Sequence, residues 1–400
     1  MKREVYLDHA ATAYVRPEVI EIMTGYMGEP YGNASSLHVF GARSRKAIEE
    51  SRAVIAGVLH ARPDEIYFTS GGTESDNWAV KGAAYMNKEK GRHIITSKIE
   101  HPAVLSACRE LESDGFEVTY LDVDEYGTVD TGQLKNALRQ DTILVSIMAA
   151  NNEIGTIQPI AEIGRIIKEN SKALFHVDAV QAAGAIEIRL DSLAVDLMSL
   201  SAHKFYGPKG TGALYIRKGL RIRPLHAGGE QERGRRAGTE NVPGIAGMAK
   251  ALELAAAEMP QESARQAALR DRLIEKVLGN IERSRLNGHK ENRLPNNASF
   301  VFEGIEGESL IMRLSAMGIA ASTGSACSSA SLEPSHVLLA IGLPHEIAHG
   351  SCRMTVGRKT TQEDIDYAAD ALISIVRELR EMSPLWEASQ RCTSDLMKGE

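Results

Sequence analysis

Residues 195–216 read VDLMSLSAHKFYGPKGTGALYI: an apolar run, a histidine beside a lysine, a turn marked by Gly207, Pro208 and Gly210, and a second apolar run. Lysine seldom ends a buried strand, because its charge must be paired or shed. The runs 196–200 and 212–216 read as strands, with Lys204 just beyond the first of them.

The same rhythm extends upstream. Strands are expected at 65–69, 93–97, 117–121, 142–148 and 173–177, with helical patterns at 75–88, 103–113 and 160–170 between them. Such alternation predicts a mainly parallel central sheet covered on both faces. Ligands of such sheets bind beyond the carboxyl ends of the strands, so residues just after each strand carry most information. From about Glu253 the pattern changes to a long helix over 264–285, a strand, a helix, a small-residue loop and a helix over 362–382. The expected organisation is a large α/β domain over 15–258. A smaller α+β domain over 259–400 would have residues 1–14 packed beside it.

A chain of 400 residues exceeds one compact core, which agrees with two units. Its 43% hydrophobic and 25% charged residues are ordinary for a soluble protein, and a net charge of −7 argues against nucleic-acid binding. Residues 217–223, RKGLRIR, alternate like an exposed edge strand, with a partner surface as the other reading. No apolar run approaches the roughly 18 residues that span a bilayer, and the opening Met1-Lys2-Arg3-Glu4 is unlike a signal-peptide core. Cys108, Cys327, Cys352 and Cys392 lie far apart without a C-x-x-C pair, which points to a reducing cytoplasm. The residues from about Pro384 lack periodicity and read as a loosely held tail.

The strand ends carry the chemistry. After 65–69 comes Ser70-Gly71-Gly72-Thr73, then a helix. Glycines admit a close backbone approach and a helix N-terminus offers N–H groups to an anion, so this is either a phosphate site or a capped turn. Asp178 and Gln181 follow 173–177. An acid there is either a helix cap or the partner of a cationic ring nitrogen. Lys204, held in an apolar setting, could serve as a free-amine nucleophile. Phosphate cradle, carboxylate and lysine after successive strands together suit pyridoxal phosphate (PLP). Lys204 would bond its aldehyde, Asp178 would keep the pyridine nitrogen protonated, and Thr73, Ser201 and His203 would hold its phosphate. His101, a cap or surface residue when taken alone, then becomes a ring-stacking proton carrier. Asn151 and Asn152 become ring or substrate contacts.

These segments resemble the PLP-dependent cysteine desulfurases of the NifS/IscS group, in the class V aminotransferase family. The resemblance covers roughly residues 5–382. It rests on Tyr6-Leu7-Asp8-His9-Ala10-Ala11-Thr12, Thr69 to Asn77, Asn151-Asn152-Glu153-Ile154-Gly155, His176 to Gln181, the opening stretch, and Glu232 to Thr239. It implies a PLP-dependent transferase of fold type I, acting as a homodimer. By resemblance, Lys204 bears the cofactor, His101 stacks on its ring, and Asp178 and Gln181 meet the ring nitrogen and phenolic oxygen. Gly72, Thr73, Ser201, His203 and a Thr239 from the second subunit hold the phosphate. Arg353, with Asn152 and Asn33, binds the substrate carboxylate. Asn33-Ala34-Ser35-Ser36 lacks a proline often found in that stretch of the family.

Cys327 sits in Ser322-Thr323-Gly324-Ser325-Ala326-Cys327-Ser328-Ser329-Ala330-Ser331. By itself it could be an inert thiol. So many small residues can neither pack a core nor hold a segment rigid, which suits a nucleophile that meets first a cofactor and then an outside acceptor. In the NifS/IscS group the cysteine of this loop receives the sulfur. The expected activity is therefore conversion of L-cysteine to L-alanine, with a persulfide on Cys327 destined for an iron–sulfur scaffold or other acceptor protein. No resident metal is expected, and Cys327 is the candidate ligand of a transiently held iron–sulfur cluster. Selenocysteine lyase and a non-catalytic sulfur-scaffold binding protein are the competing readings. Cys352, directly before Arg353, stands where the family leads one to expect an apolar residue, which suggests a second thiol near the substrate. His345-Glu346-Ile347-Ala348-His349 matches the zinc-peptidase pattern H-E-x-x-H, but Pro344 and Gly350 leave room only for a short structural helix.

Overall fold

Uninterrupted burial along short β-rich runs requires both faces of a sheet to be covered, and the chain builds such a sheet. The computed structural model describes residues 3–29, 31–324, 333–384 and 386. Its strands are β1 (Val5–Tyr6), β2 (Ile66–Thr69), β3 (His93–Ser97), β4 (Glu117–Leu121), β5 (Thr142–Ser146) and β6 (Leu174–Asp178). They continue with β7 (Leu197–Ser201), β8 (Gly212–Ile216), β9 (Ser284–Leu286), β10 (Asn297–Phe302), β11 (Ile319–Ala320) and β12 (Ser351–Thr355).

The large sheet has seven strands in the order β2-β8-β7-β6-β5-β3-β4. Only β8 runs antiparallel to its neighbours. Period-two alternation divides each strand between two apolar layers. Phe68, Val145, Phe175, Val177, Met198 and Leu200 join the layer built with helices Val39–Val58, Ile160–Asn170 and the start of Val242–Asn280. Tyr67, Ile94, Leu144, Leu197 and Leu214 pack on helices Gly72–Asn87 and Pro102–Ser113. Full burial of each such side chain is worth roughly 1.5–3 kcal/mol.

A separate apolar cluster joins Val5 and Leu7 to Leu273, Phe300, Leu310, Cys352, Met354 and Leu372. It surrounds the antiparallel sheet β12-β10-β9 and the parallel pair β1-β11.

Two expectations need correction. The long helix runs Val242–Asn280 and not 264–285. Pro260 lies inside it, at a cost of about 3 kcal/mol for a helix interior. Burial outweighs that cost, because Ile245, Met248 and Leu252 pack in the first core while Leu269, Leu273 and Val277 pack in the second. Residues 217–223 form no edge strand. They follow β8, which lies inside the sheet between β2 and β7. The Arg217 guanidinium caps the Val195 carbonyl and pairs with Asp196 at 3.2 Å, and the Lys218 N–H donates to Glu65.

The expected short helix of the H-E-x-x-H stretch is His345–Ala348, opened by Pro344. Among the described residues no helix is long and apolar enough to cross a membrane.

Candidate active site

The alternation that buries Phe175 and Val177 on one face sends His176 and Asp178 to the other, and cross-strand register continues the row. Ser146 is opposite His176, and Asp178 is opposite Ser199, two residues before Ser201. Helices Gly72–Asn87 and Pro102–Ser113 cover this face, so their N-termini meet the carboxyl ends of β5, β6 and β7. Period two and parallel register thus gather residues from distant parts of the chain.

Lys204 closes the 3-10 turn Ala202–Lys204 directly after β7. Its ammonium donates to the carbonyls of Ala10 and Ala11, at 2.5 and 2.9 Å. The Gln181 amide donates to the same Ala10 carbonyl at 3.0 Å. His203 Nδ1 lies 3.1 Å from the Thr12 hydroxyl. The segment 8–12 therefore lines the site, and only its place in the tertiary structure reveals that its backbone carbonyls take part.

Asp178, at the end of β6, is buried and accepts from the Val180 N–H at 2.9 Å. A turn and not a helix follows Asp178, so this contact replaces the expected alternative of a helix cap; its electrostatics add a second role. Burial pushes its carboxyl up, while the charges of His101 and Lys204 pull it back. His101 caps Pro102–Ser113 by accepting from the Ala103 N–H at 3.1 Å. Burial and Lys204 push its imidazole down, against the pull of Asp178. His203 is pushed down to about 4 by burial, Lys204 and Lys209. The His101 imidazole, facing the charges of Asp178 and Lys204, is placed to accept or pass a proton, whereas His203 stays neutral and serves as a hydrogen-bonding group.

Gly72 opens helix Gly72–Asn87 after Gly71 at φ 155°, a conformation L side chains rarely adopt. A Cβ on Gly72 would come within 2.8 Å of Val180. Thr73, the next residue, is exposed, and Ser201 is buried against this turn. The free N–H groups of this helix start and the neighbouring hydroxyls form an anion cradle.

Arg353, on β12, donates from Nη1 to the Asn152 carbonyl at 3.0 Å and from Nη2 to Asp8 at 2.9 Å. Its buried Nε has no partner among the described residues. Asn33 is exposed and accepts from the Ser35 N–H of its own turn, and Thr239 is exposed on the single chain. Cys327 lies outside the described residues. The expectation of a second thiol near substrate is corrected by Cys352. It points to the opposite face of β12 from Arg353, wholly buried in the second core, and burial pushes its thiol up to about 12.

Sequence reasoning missed the polar groups behind the site. His176 stands between Ser146, 2.8 Å from its Nδ1, and Ser199, 3.0 Å from its Nε2. Asp76 Oδ1 is 3.6 Å from His176 and has no hydrogen-bond partner among the described residues. Burial, the charge of Asp178 and that of Glu100 hold Asp76 well above the carboxylate range. Glu100 accepts from the Ser97 hydroxyl and the Met148 N–H, and burial pushes it up to about 8. The spacing of His176 and Asp178 was the available signal, since residues two apart on a strand share a face.

This donor set fits PLP: an anion cradle at the helix start after β2, an amine after β7, and a buried carboxylate at the end of the neighbouring β6 whose charge faces that amine and an imidazole. Residues 5–368 match the family model described as aminotransferase class-V, and the chain belongs to that family. Within it, the chain falls with the cysteine desulfurases of the NifS/IscS-like group. It is 59% identical over 383 residues to the cysteine desulfurase IscS of Methanosarcina thermophila, covering 96% of this chain and 94% of the relative. A solved structure named a NifS-like protein superposes with a TM-score of 0.89 at 42% identity, covering 94% of this chain and all of its own. Another, SspA in complex with cysteine, gives a TM-score of 0.78 at 38% identity over 89% of this chain and 99% of its own.

Proposed function

We propose that this chain is a PLP-dependent cysteine desulfurase that converts L-cysteine to L-alanine and leaves the sulfur as a persulfide on Cys327. The observation that carries this reading is that Asp178 and Lys204 follow the paired strands β6 and β7, with Val180 and Ser201 packed against the Gly72 helix start and His101 facing both charges. Lys204 would hold the cofactor covalently, with Gly72, Thr73, Ser201 and His203 on its phosphate and Thr239 supplied by a second copy of the chain. Asp178, Gln181, His101 and Asn152 would meet its ring. When bound, PLP supplies an electron sink for charge that develops at the substrate Cα.

The remaining work belongs to side chains. The Arg353 guanidinium takes the substrate carboxylate, helped by Asn152 and Asn33, and so orients the scissile bond. Lys204 and His101 move the Cα proton. The Cys327 thiolate attacks the substrate sulfur: the C–S bond breaks, an S–S bond forms, and a proton completes the alanine methyl group. Cysteine is thereby reduced to alanine as Cys327 gains one sulfur, so no outside oxidant or reductant is needed.

A cytoplasmic homodimer completes the reading, with an iron–sulfur scaffold or another acceptor protein receiving the sulfur. The division into residues 15–258, and 259–400 with 1–14, also belongs to it. The separate apolar clusters support that division, with Val242–Asn280 as the shared helix.

The test is chemical. Purified protein should be yellow, borohydride should fix the cofactor to the Lys204 peptide, and a pulse of cysteine should add one sulfur to the Cys327 peptide. Label on another lysine, or full turnover by Cys327→Ala, overturns the reading.

A further inference from the structure

Glu153 directly follows the residue whose carbonyl holds Arg353, and its side chain is buried away from solvent. Its backbone N–H donates to Asn151 Oδ1 at 2.8 Å and its carbonyl accepts from Asn297 at 3.3 Å. Its carboxyl meets two other parts of the chain. The Ser335 hydroxyl donates to Oε2. That hydroxyl also accepts from the N–H groups of Val337 and Leu338, so its single proton is committed to Glu153. Gly324 packs on the same oxygen, since a Cβ there would lie 3.0 Å from Oε2 and 3.2 Å from Ser335 Cβ. The Gly324 N–H donates to the Ser351 hydroxyl on β12, two residues before Arg353.

A buried carboxyl is expensive to keep unless something depends on its contacts. Burial pushes this one up to about 7, against the Ser335 hydrogen bond and the charge of Arg353. An apolar residue would fill the same space without that cost. What the carboxyl adds is a junction: the Asn152 turn, Gly324 before residues 325–332, and Ser335 after them all meet on one oxygen.

We infer that Glu153 is a positioning residue, which locks the Asn152 turn to Gly324 and Ser335 and thereby aims Arg353 at the substrate carboxylate. The inference rests on the reading of Arg353 as the carboxylate-binding residue. Without the lock, the Asn152 carbonyl can drift and Nη1 loses its fixed acceptor. Guanidinium misalignment weakens binding of a planar carboxylate more than it alters proton transfer at Cα.

Steady-state kinetics on the cofactor-loaded enzyme tests this. Glu153→Ala should raise KM for L-cysteine on the order of tenfold while kcat changes less than about twofold and cofactor content is unchanged. Glu153→Gln should restore KM, because its amide oxygen still accepts the Ser335 hydrogen. Ser335→Ala removes that hydrogen and Gly324→Ala wedges a methyl group against Oε2, so both should raise KM as Glu153→Ala does. A parental KM in Glu153→Ala, or a Glu153→Gln enzyme no better than Glu153→Ala, overturns the inference. If Glu153→Ala does not fold, parental KM in both Ser335→Ala and Gly324→Ala overturns it. Failure of the underlying reading is distinct: Arg353→Ala would then bind cysteine as the parent does.

Discussion

Arg353 Nη2 donates to Asp8 Oδ1 at 2.9 Å, joining β12 to the N-terminal segment across 345 residues of sequence. The guanidinium side chain is 5% exposed and the carboxylate 17%, so the pair is largely withdrawn from water. Asp8 supplies the counter-charge a buried guanidinium needs, and a substrate carboxylate is the same chemical group.

Asp8→Asn should therefore destabilise the protein by about 3 kcal/mol, since one member of a buried pair is left without its partner. A carboxylate ligand can then take over part of that role. Thermal unfolding should show a lower Tm for the variant and a larger Tm gain on adding L-alanine than the parent shows. Equal gains would mean that Asp8 and the ligand carboxylate do not share Arg353.

Asp178→Asn keeps the shape of the side chain and removes its charge. Alanine formation should fall on the order of a hundredfold or more, because the stabilising charge is lost where positive charge must be held. A second readout needs no turnover. The charge of Asp178 pulls the His101 imidazole up, so the variant should titrate His101 at lower pH in nuclear magnetic resonance spectra. An unmoved His101 would separate the two residues.

The thiols should divide sharply. Burial pushes Cys108 and Cys352 up to about 12, so neither offers a thiolate near neutral pH. Iodoacetamide should leave both unmodified in the folded protein, as read by peptide mass spectrometry. Cys352→Ala should retain most activity, whereas Cys327→Ala should make no alanine from cysteine. Rapid labelling of Cys352 would contradict its packing in the second core.

Glu100 carries a pH dependence of known sign. Its ordinary value is 4.5 and its folded value about 8, so between these limits the folded protein holds a proton that the unfolded chain releases. Its contribution is complete below about 4.5 and is lost as pH rises through about 8. Glu100→Gln should flatten the fall in Tm between about pH 4.5 and pH 8, where parent and variant can be compared directly. Parallel Tm curves would show that Glu100 is not protonated in the folded protein.

Much of this protein was legible in sequence because its signals are local. Strands at 93–97, 117–121 and 212–216 and the helix at 160–170 match the structure in full, since short β-rich runs and a period-3.6 apolar pattern are written in consecutive residues. The strand-end placement of Asp178 and Lys204 follows from the same local rule. What sequence could not decide depends on long-range packing. Helix Val242–Asn280 passes through Pro260 because two distant cores bury its two halves. Residues 217–223 looked like an edge until the strand order put β8 inside the sheet. Cys352 stands next to Arg353 in sequence but faces the other side of β12, so adjacency along a strand separates side chains rather than uniting them. Lys204 meets Ala10, Arg353 meets Asp8 and Glu153 meets Ser335 only because tertiary packing brings residues from separate segments within hydrogen-bonding reach. Which residues sit at strand ends was decided by local chemistry; which of them share a proton or a charge was decided by the fold.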